Sequence, residues 1–158
     1  MSNESSMRRV TAIRNGTVID HIPSGQALRV LELLNIDGST SVPISLVMNV
    51  PSKKMGAKDI IKVEDRELTQ TELDRLALVS ADASVAIIRA YTVAEKMTVN
   101  LGEEVTNVVR CTFSNCITQN MREPLPHRLK VTRRDPLSLR CHYCGRTQNL
   151  DELVQNVL

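Results

Sequence analysis

Four cysteines stand in two close pairs, Cys111-x4-Cys116 and Cys141-x2-Cys144, with 24 residues between the pairs. Thiolates are soft ligands suited to zinc, and a pair two to four residues apart fits a tight turn on which both sulfurs converge. The inserts are polar and turn-forming, Thr112-Phe113-Ser114-Asn115 and His142-Tyr143. Two such turns, brought together by the intervening chain, place four sulfurs at the corners of a tetrahedron, the coordination of a structural zinc ion. A shell closed by four thiolates leaves no position for a reactive water, so the expected role is architectural. His142, inside the second pair, reads as a solvent-facing turn residue rather than a ligand of a mixed site. The competing arrangements are four unrelated buried thiols or two disulfides. Met1 to Arg9 has no apolar core of the kind a signal peptide needs, which sets the expectation of a cytoplasmic protein with reduced thiols.

The elements that must position these sulfurs are poor in core-forming residues. From residue 101 to 158 the only aromatics are Phe113 and Tyr143, and so short a segment rarely builds an adequate core unaided. Structural zinc contributes about 10–16 kcal/mol in small zinc peptides, so this half is expected to unfold without metal. Its charge also differs from the rest. Residues 1–100 carry 12 Lys+Arg and 12 Asp+Glu, against 8 and 6 in residues 101–158. Arg128, Lys130, Arg133, Arg134, Arg140 and Arg146 lie close together with only Asp135 among them. Such a cluster suits nucleic acid or an acidic protein surface. With aromatics at 2% of the chain there is little to stack on bases, which favours the protein surface.

A second set of candidate residues lies in the first hundred. Asp20 and His21 are adjacent, so in a regular strand they point to opposite faces and need a bend between them to act together. Lys58 and Lys62 share a strand face, and with Lys96 from a later strand they form a set of ammonium groups suited to a triphosphate. No Gly-x-Gly-x-x-Gly and no P-loop is present, nor is a Ser-His-Asp or Cys-His set that points to catalysis.

Periodicity places these residues on elements. Arg9 to Arg14 reads as a strand broken by Gly16, and Thr17 to Ile22 continues in an extended sense up to Pro23. Ser24 is expected to cap a helix carrying Ala27, Leu28, Leu31 and Leu34. Strict alternation from Thr40 to Val50 predicts a half-buried strand, with Pro43 at its start or on a sheet edge. Lys58 to Glu64 is the next strand. Thr69-Gln-Thr-Glu72 is a capping box opening a helix that ends near Ser80, and Ala83–Ala90 and Thr92–Val99 are two more strands. The order predicts an α+β fold, a ferredoxin-like antiparallel sheet with two helices on one face. A linker near residues 100–104 leads to a small all-β zinc-binding domain with strands near 106–110, 128–132 and 137–140, and a last helical turn in 150–157. The domains are thus expected to be 1–100 and 101–158. No apolar run is long enough to span a membrane.

Four segments together resemble one family: Gly16-Thr-Val-Ile-Asp-His-Ile-Pro23, Pro51-Ser-Lys-Lys-Met-Gly-Ala-Lys-Asp-Ile-Ile-Lys62, Cys111-Thr-Phe-Ser-Asn-Cys116 and Cys141-His-Tyr-Cys144. In this order they are similar to the regulatory chains of aspartate carbamoyltransferase, non-catalytic subunits in pyrimidine biosynthesis. The resemblance implies an amino-terminal domain for nucleotide effectors and a zinc domain that holds the catalytic chain. In that family ATP activates, CTP inhibits and UTP strengthens the inhibition. Carried over by motif, Val10, Thr11, Ala12 and Ile13 line the base with Ile88, Tyr91 and Val93. Asp20 meets the ribose, while His21, Lys62 and Lys96 meet ribose and phosphates. The metal ligands are Cys111, Cys116, Cys141 and Cys144. Thr11 stands where an acidic residue is common and Ala86 where an amide side chain is, which affects base discrimination more than phosphate binding. The implied assembly holds homodimers of regulatory chains, three to every two catalytic trimers, without nucleic acid or membrane. The rival functions are a zinc-ribbon nucleic-acid-binding protein and a zinc enzyme.

Overall fold

The computed structural model describes residues 12–120, 122, 124–134 and 136–157, and its chain separates into two compact units, Met1–Asn100 and Leu101–Leu158.

The first unit begins with strand β1 (Gly16–Pro23) and helix α1 (Ala27–Leu33), followed by the hairpin β2 (Ile44–Ser52) and β3 (Gly56–Glu64). Helix α2 (Gln70–Val79) leads to a second hairpin, β4 (Ser84–Arg89) and β5 (Thr92–Thr98). The five strands form one antiparallel sheet in the order β2-β3-β1-β4-β5. β3 and β1 lie inside the sheet and are buried along most of their length, β3 with the charged residues Lys58, Asp59 and Lys62 among its buried positions. Ile19 is registered with Ile61 and Val85, and Ile87 with Thr17 two residues along, while Ala27, Val30, Leu33, Leu76, Ala77 and Leu78 are the buried apolar residues of the two helices. The other face carries a separate apolar cluster of Ile13, Val18, Val50, Ile60 and Ile88, with Val47 and Ala86 against it.

Several expectations are corrected. Gly16 opens β1 instead of breaking a strand: at φ +143° a β-carbon there would lie 2.1 Å from the Val63 carbonyl oxygen, so only glycine permits the neighbouring strand to approach. Ala12 to Arg14 make no ladder, and Arg9 to Thr11 lie outside the described residues. Ser24 does not cap α1. Its hydroxyl donates to Asn49 Oδ1 at 3.0 Å, while the Asp59 carboxylate accepts from the amides of Gly25 (2.9 Å) and Ala27 (3.0 Å). The buried stripe of α1 is Ala27, Val30 and Leu33, and Leu28 is 61% exposed. The alternation along β2 fails at a bulge between Val47 and Val50, which brings both residues to the same face and leaves Met48 exposed. Pro43 sits just before β2, which is an edge strand as its position implies. The capping box of α2 forms on both sides: Thr69 Oγ1 accepts from the Glu72 amide at 3.3 Å, and the Thr69 amide donates to Glu72 Oε1 at 3.1 Å.

The second unit is a four-stranded antiparallel sheet, β6 (Glu104–Thr106), β7 (Arg128–Arg134), β8 (Leu137–Cys141) and β9 (Thr147–Asn149), in sequence order. A 3-10 turn at Ile117–Gln119 and a short helix α3 (Leu150–Val154) complete it. The expected strand at 106–110 lies instead at 104–106, and only Val109 adds a bridge, to Val157. Asn149 caps α3 by accepting from the Glu152 amide at 3.0 Å. Among the described residues no helix is long and apolar enough to cross a membrane.

Candidate metal centre and effector face

The metal centre is built by two loops that return the chain onto the sheet. Cys111 follows the Val109 bridge, and Cys116 precedes the 3-10 turn, whose Gln119 amide donates to the Cys116 carbonyl at 2.9 Å. Cys141 ends β8, and the turn beyond it closes with the Gly145 amide donating to the Cys141 carbonyl at 3.0 Å. Gly145 has φ +70°, the left-handed backbone that ends such a turn cheaply with glycine. The four sulfurs lie within 4.8 Å of one another, and Cys111 to Cys144 and Cys116 to Cys141 are each 3.7 Å apart. A disulfide needs about 2.05 Å, so the cysteines are unpaired. A zinc tetrahedron with bonds of about 2.3 Å has edges of about 3.8 Å, so the donor set fits the ion. Neither disulfides nor scattered thiols describe this arrangement.

The surroundings favour charge on the sulfurs in different degrees. Cys111, Cys116 and Cys141 are buried, with Phe113 and Tyr143 packed against them. Burial pushes the Cys111 thiol up to about 12, although the Phe113 amide hydrogen-bonds to its sulfur. Burial raises Cys141 too, against amide donors at Tyr143 and Cys144. At Cys116 burial also works upward, but the Thr118 hydroxyl, 3.1 Å from Sγ, and the Thr118 amide prevail with its cysteine neighbours and bring it down to about 7. Amide and hydroxyl donors aimed at sulfur satisfy thiolate lone pairs that no water reaches. His142 is exposed, and its ring stacks edge-on against Tyr143 at 5.0 Å, so it stays out of the sulfur cluster.

Around this centre the basic residues are not idle. Arg128 pairs with Glu104 at 2.7 Å, Arg134 donates to the Leu101 carbonyl at 2.8 Å and Arg140 to the Gly145 carbonyl at 3.0 Å. Arg146 donates to Asn115 Oδ1 at 2.6 Å and lies 4.7 Å over the Phe113 ring. Guanidinium groups held in this way are fixed in direction, as reading a protein surface requires.

In the first unit the candidate effector residues gather on the sheet face that carries the Ile13 cluster. Lys62 pairs with Val18, Val18 with Ala86, and Ala86 with Lys96, so one registered row crosses four strands with a lysine at each end. Paired residues point to the same face. Lys62 is almost fully buried, and burial lowers its ammonium from the usual range while Glu64 opposes the shift. Ile88 is buried within the cluster opposite Val93, which is exposed, and exposed Tyr91 donates its amide to the Arg14 carbonyl at 2.9 Å. Ile13, Ile88, Tyr91 and Val93 are thus brought to one corner. Ala12 is exposed nearby in sequence, and Val10 and Thr11 lie outside the described residues.

The bend that Asp20 and His21 require is present. His21 has φ +59° within a bulge between Ile19 and Ile22, and Asp20 Oδ1 accepts the His21 amide at 2.6 Å. That carboxylate also pairs with buried Lys58 at 3.0 Å, while His21 Nδ1 is 3.2 Å from Ser84 Oγ. Burial lowers the imidazole from its ordinary value; Asp20 opposes this, and Lys58, Lys54 and Lys96 add to it. Burial first, and then the three ammonium groups, thus favour the neutral imidazole.

Sequence reasoning missed two buried polar residues. Asp59 is fully buried between two bulges, accepting from the Asn49 amide at 2.8 Å besides Gly25 and Ala27, and so ties β2 to the start of α1. Gln148, on β9, reaches the sulfur cluster. An acid on the same strand face as Ile61 and Val63 was the available signal for Asp59. Gln148 had none, because Thr-Gln-Asn carries no hydrophobic period.

Comparison with known proteins agrees with both halves. Residues 8–100 match the family model of the aspartate carbamoyltransferase regulatory chain, allosteric domain, and residues 103–154 that of its metal binding domain. An aspartate carbamoyltransferase regulatory chain of Methanothrix thermoacetophila is 48% identical over 150 residues, covering 95% of this chain and 96% of its own. That of Korarchaeum cryptofilum is 42% identical over 157 residues, with 99% and 98% covered, and that of Pyrococcus abyssi 45% over 150, with 94% and 97%. With a converged sulfur tetrad in one unit, a helix-backed sheet in the other and relatives matching end to end, this chain belongs to the family of aspartate carbamoyltransferase regulatory chains.

Proposed function

We propose that the first unit binds ATP, CTP and UTP as competing or cooperating effectors, and that the second, folded around one zinc ion, docks on the catalytic chain of aspartate carbamoyltransferase. The family's chains are regulatory and non-catalytic. What carries the nucleotide reading is the Lys62–Val18–Ala86–Lys96 row, an apolar floor with a cation at either end. The floor, extended by Ile13, Ile88, Tyr91 and Val93, suits a base. Lys62, Lys96 and His21 suit phosphates, and Asp20 a ribose hydroxyl. With Ala86 offering no amide, selection between bases falls to backbone groups and to position 11.

Cys111, Cys116, Cys141 and Cys144 would hold the zinc, which supplies four bonds closing the two loops onto each other. Held so, the loops present Phe113, Asn115 and Arg146 as one fixed surface. Effectors act on the catalytic chain only through a difference in affinity between the quaternary states. A coupling of about 1–3 kcal/mol changes affinity some 5–150-fold. Homodimers of this chain, three per two catalytic trimers, are the assembly such coupling would use, in a cytoplasm that keeps thiols reduced. The intramolecular partners of Arg128, Arg134, Arg140 and Arg146 weigh against a nucleic-acid surface.

The test is to mix this protein with catalytic trimers and follow aspartate saturation with each nucleotide. A shift of the curve by ATP or CTP, absent for trimers alone, is expected. Assembly without any nucleotide response would reject the effector reading.

A further inference from the structure

We propose that Gln148 is a positioning residue of the metal centre, a single amide that joins the two cysteine loops and donates to one of the sulfurs. The inference rests on the zinc reading above and concerns this chain's own residues around the ion.

β9 is short and polar, yet its middle residue occupies a core position. The strand alternates exposed Thr147, buried Gln148 and exposed Asn149, and Gln148 pairs with Leu139, which itself pairs with Val131 on the inner side of the sheet. At 1% exposure a glutamine amide must have its hydrogen bonds met inside the protein. All those it makes are to the metal loops. Oε1 accepts from the Thr112 amide at 3.0 Å, in the loop after Cys111. Nε2 donates to Cys111 Sγ at 3.5 Å and to the Arg146 carbonyl at 3.5 Å, in the loop after Cys144. Arg146 in turn accepts from the Cys141 amide through that same carbonyl at 3.0 Å. Gln148 therefore spans both loops from a strand that belongs to neither, and its N–H is aimed at the sulfur of Cys111.

Two consequences follow. Thiolates that accept hydrogen bonds share less charge with the metal but are held in direction, and outer donors of this kind typically change metal affinity 10–100-fold when removed. Arg146, which leads into the docking surface through Phe113 and Asn115, is anchored at its backbone by the same amide. The device links the strand to the ion and the ion to the surface.

The experiment uses the full chain loaded with zinc, and in parallel with cadmium-113. Zinc transfer to a chromophoric chelator is timed, and the cadmium resonance is recorded, for wild type, Gln148→Leu and Gln148→Glu. Gln148→Leu removes both halves of the bridge. Gln148→Glu keeps an oxygen for the Thr112 amide and loses the donor to sulfur, so it decides the matter if the leucine variant does not fold. Zinc is expected to leave both variants about 10–100-fold faster, with a moved cadmium resonance. A wild-type rate in Gln148→Glu overturns the proposal. So does faster release with an unmoved resonance, which would make Gln148 a packing residue only. A wild-type chain that binds no stoichiometric zinc or cadmium would instead overturn the metal reading itself, a result separable from either.

Discussion

In the first unit Ile19, Ile22, Leu33, Ile60, Ile61 and Leu76 are almost wholly buried across two layers. In the second, among the described residues, Leu129, Leu139 and Leu153 are the large apolar residues buried to that degree, and the same unit holds a cluster made of sulfur. A sheet with helices on one face excludes water by area alone, and its polar exceptions, Asp59, Lys58 and Lys62, are tolerated because that area is large. The smaller sheet has less such area, and its buried polar residues Thr118 and Gln148 both donate to cysteine sulfurs, as expected of a unit closed by coordination. The contrast teaches that one chain is divided by what holds it together: burial keeps the first unit in shape, and on the reading proposed above metal keeps the second in shape.

The sharpest way to break that contrast is to take the metal out. Displacing zinc with a mercurial and a chelator should remove a stabilisation of about 10 kcal/mol or more from the second unit and leave the first folded. Amide hydrogen exchange is expected to collapse for residues of β6 to β9 and persist for β1 to β5. Nucleotide binding should survive while assembly with catalytic trimers is lost. Global loss of protection, or retained assembly, would contradict the division.

The division was readable to different depths. Cys111 to Cys144 declared their geometry by spacing, since ligand type and turn length are set locally. The strand and helix order of the first unit followed from period, and the capping box at Thr69 from four residues. What could not be read was decided at a distance. Asp59 caps a helix more than thirty residues earlier in the chain, so Ser24 seemed the better candidate. The bulges at His21 and Asn49, both with positive φ, shift the face of every later residue in their strands. β9 is polar throughout because its one buried residue serves the metal loops and not an apolar layer. In the site, Lys62 and Lys96 could be suspected as cations, but that they end one row through Val18 and Ala86 depends on pairing register, which no local pattern encodes.

Within the first unit, Asp59→Leu tests whether burial alone suffices. The substitution strands three amides, of Gly25, Ala27 and Asn49. At about 1–3 kcal/mol for each fully buried donor, with two of the three only partly buried, a loss of about 2–4 kcal/mol is expected from denaturant unfolding of the first unit. The second unit's zinc content should stay unchanged. Asp59→Asn, which keeps one acceptor oxygen, should fall between. No loss in either variant would mean that the apolar layers hold β2 and α1 without the tie.

A smaller effect is expected at the effector face. Lys96→Ala should weaken ATP and CTP alike, by roughly tenfold, the equivalent of about 1.4 kcal/mol, because it removes one exposed cation and no packing. Thr11 substitutions should instead change the ratio of the two affinities. Calorimetry that finds both nucleotides bound equally well by wild type and Lys96→Ala would reject the phosphate assignment for that residue.

The smallest effect is a proton. His21 is held below its ordinary value near 6.5 mainly by burial, and also by Lys58, Lys54 and Lys96, with Asp20 opposing. Its lowered value means that the free protein loses stability as the pH falls below about 6.5, where the unfolded chain takes a proton that the folded one resists. A triphosphate laid among the same lysines reverses the balance by neutralising them and attracting the imidazolium, so the bound value lies above the free one. Between those values, nucleotide binding should take up a fraction of a proton, and affinity should rise as the pH falls. Calorimetry in buffers of different ionisation enthalpy measures that uptake directly, and His21→Gln should abolish it while leaving the zinc unit untouched. Uptake that persists without His21 would move the titrating group to the phosphates themselves. The floor of the site would then be apolar and its rim purely lysine, with the bulge at His21 serving only to turn the strand.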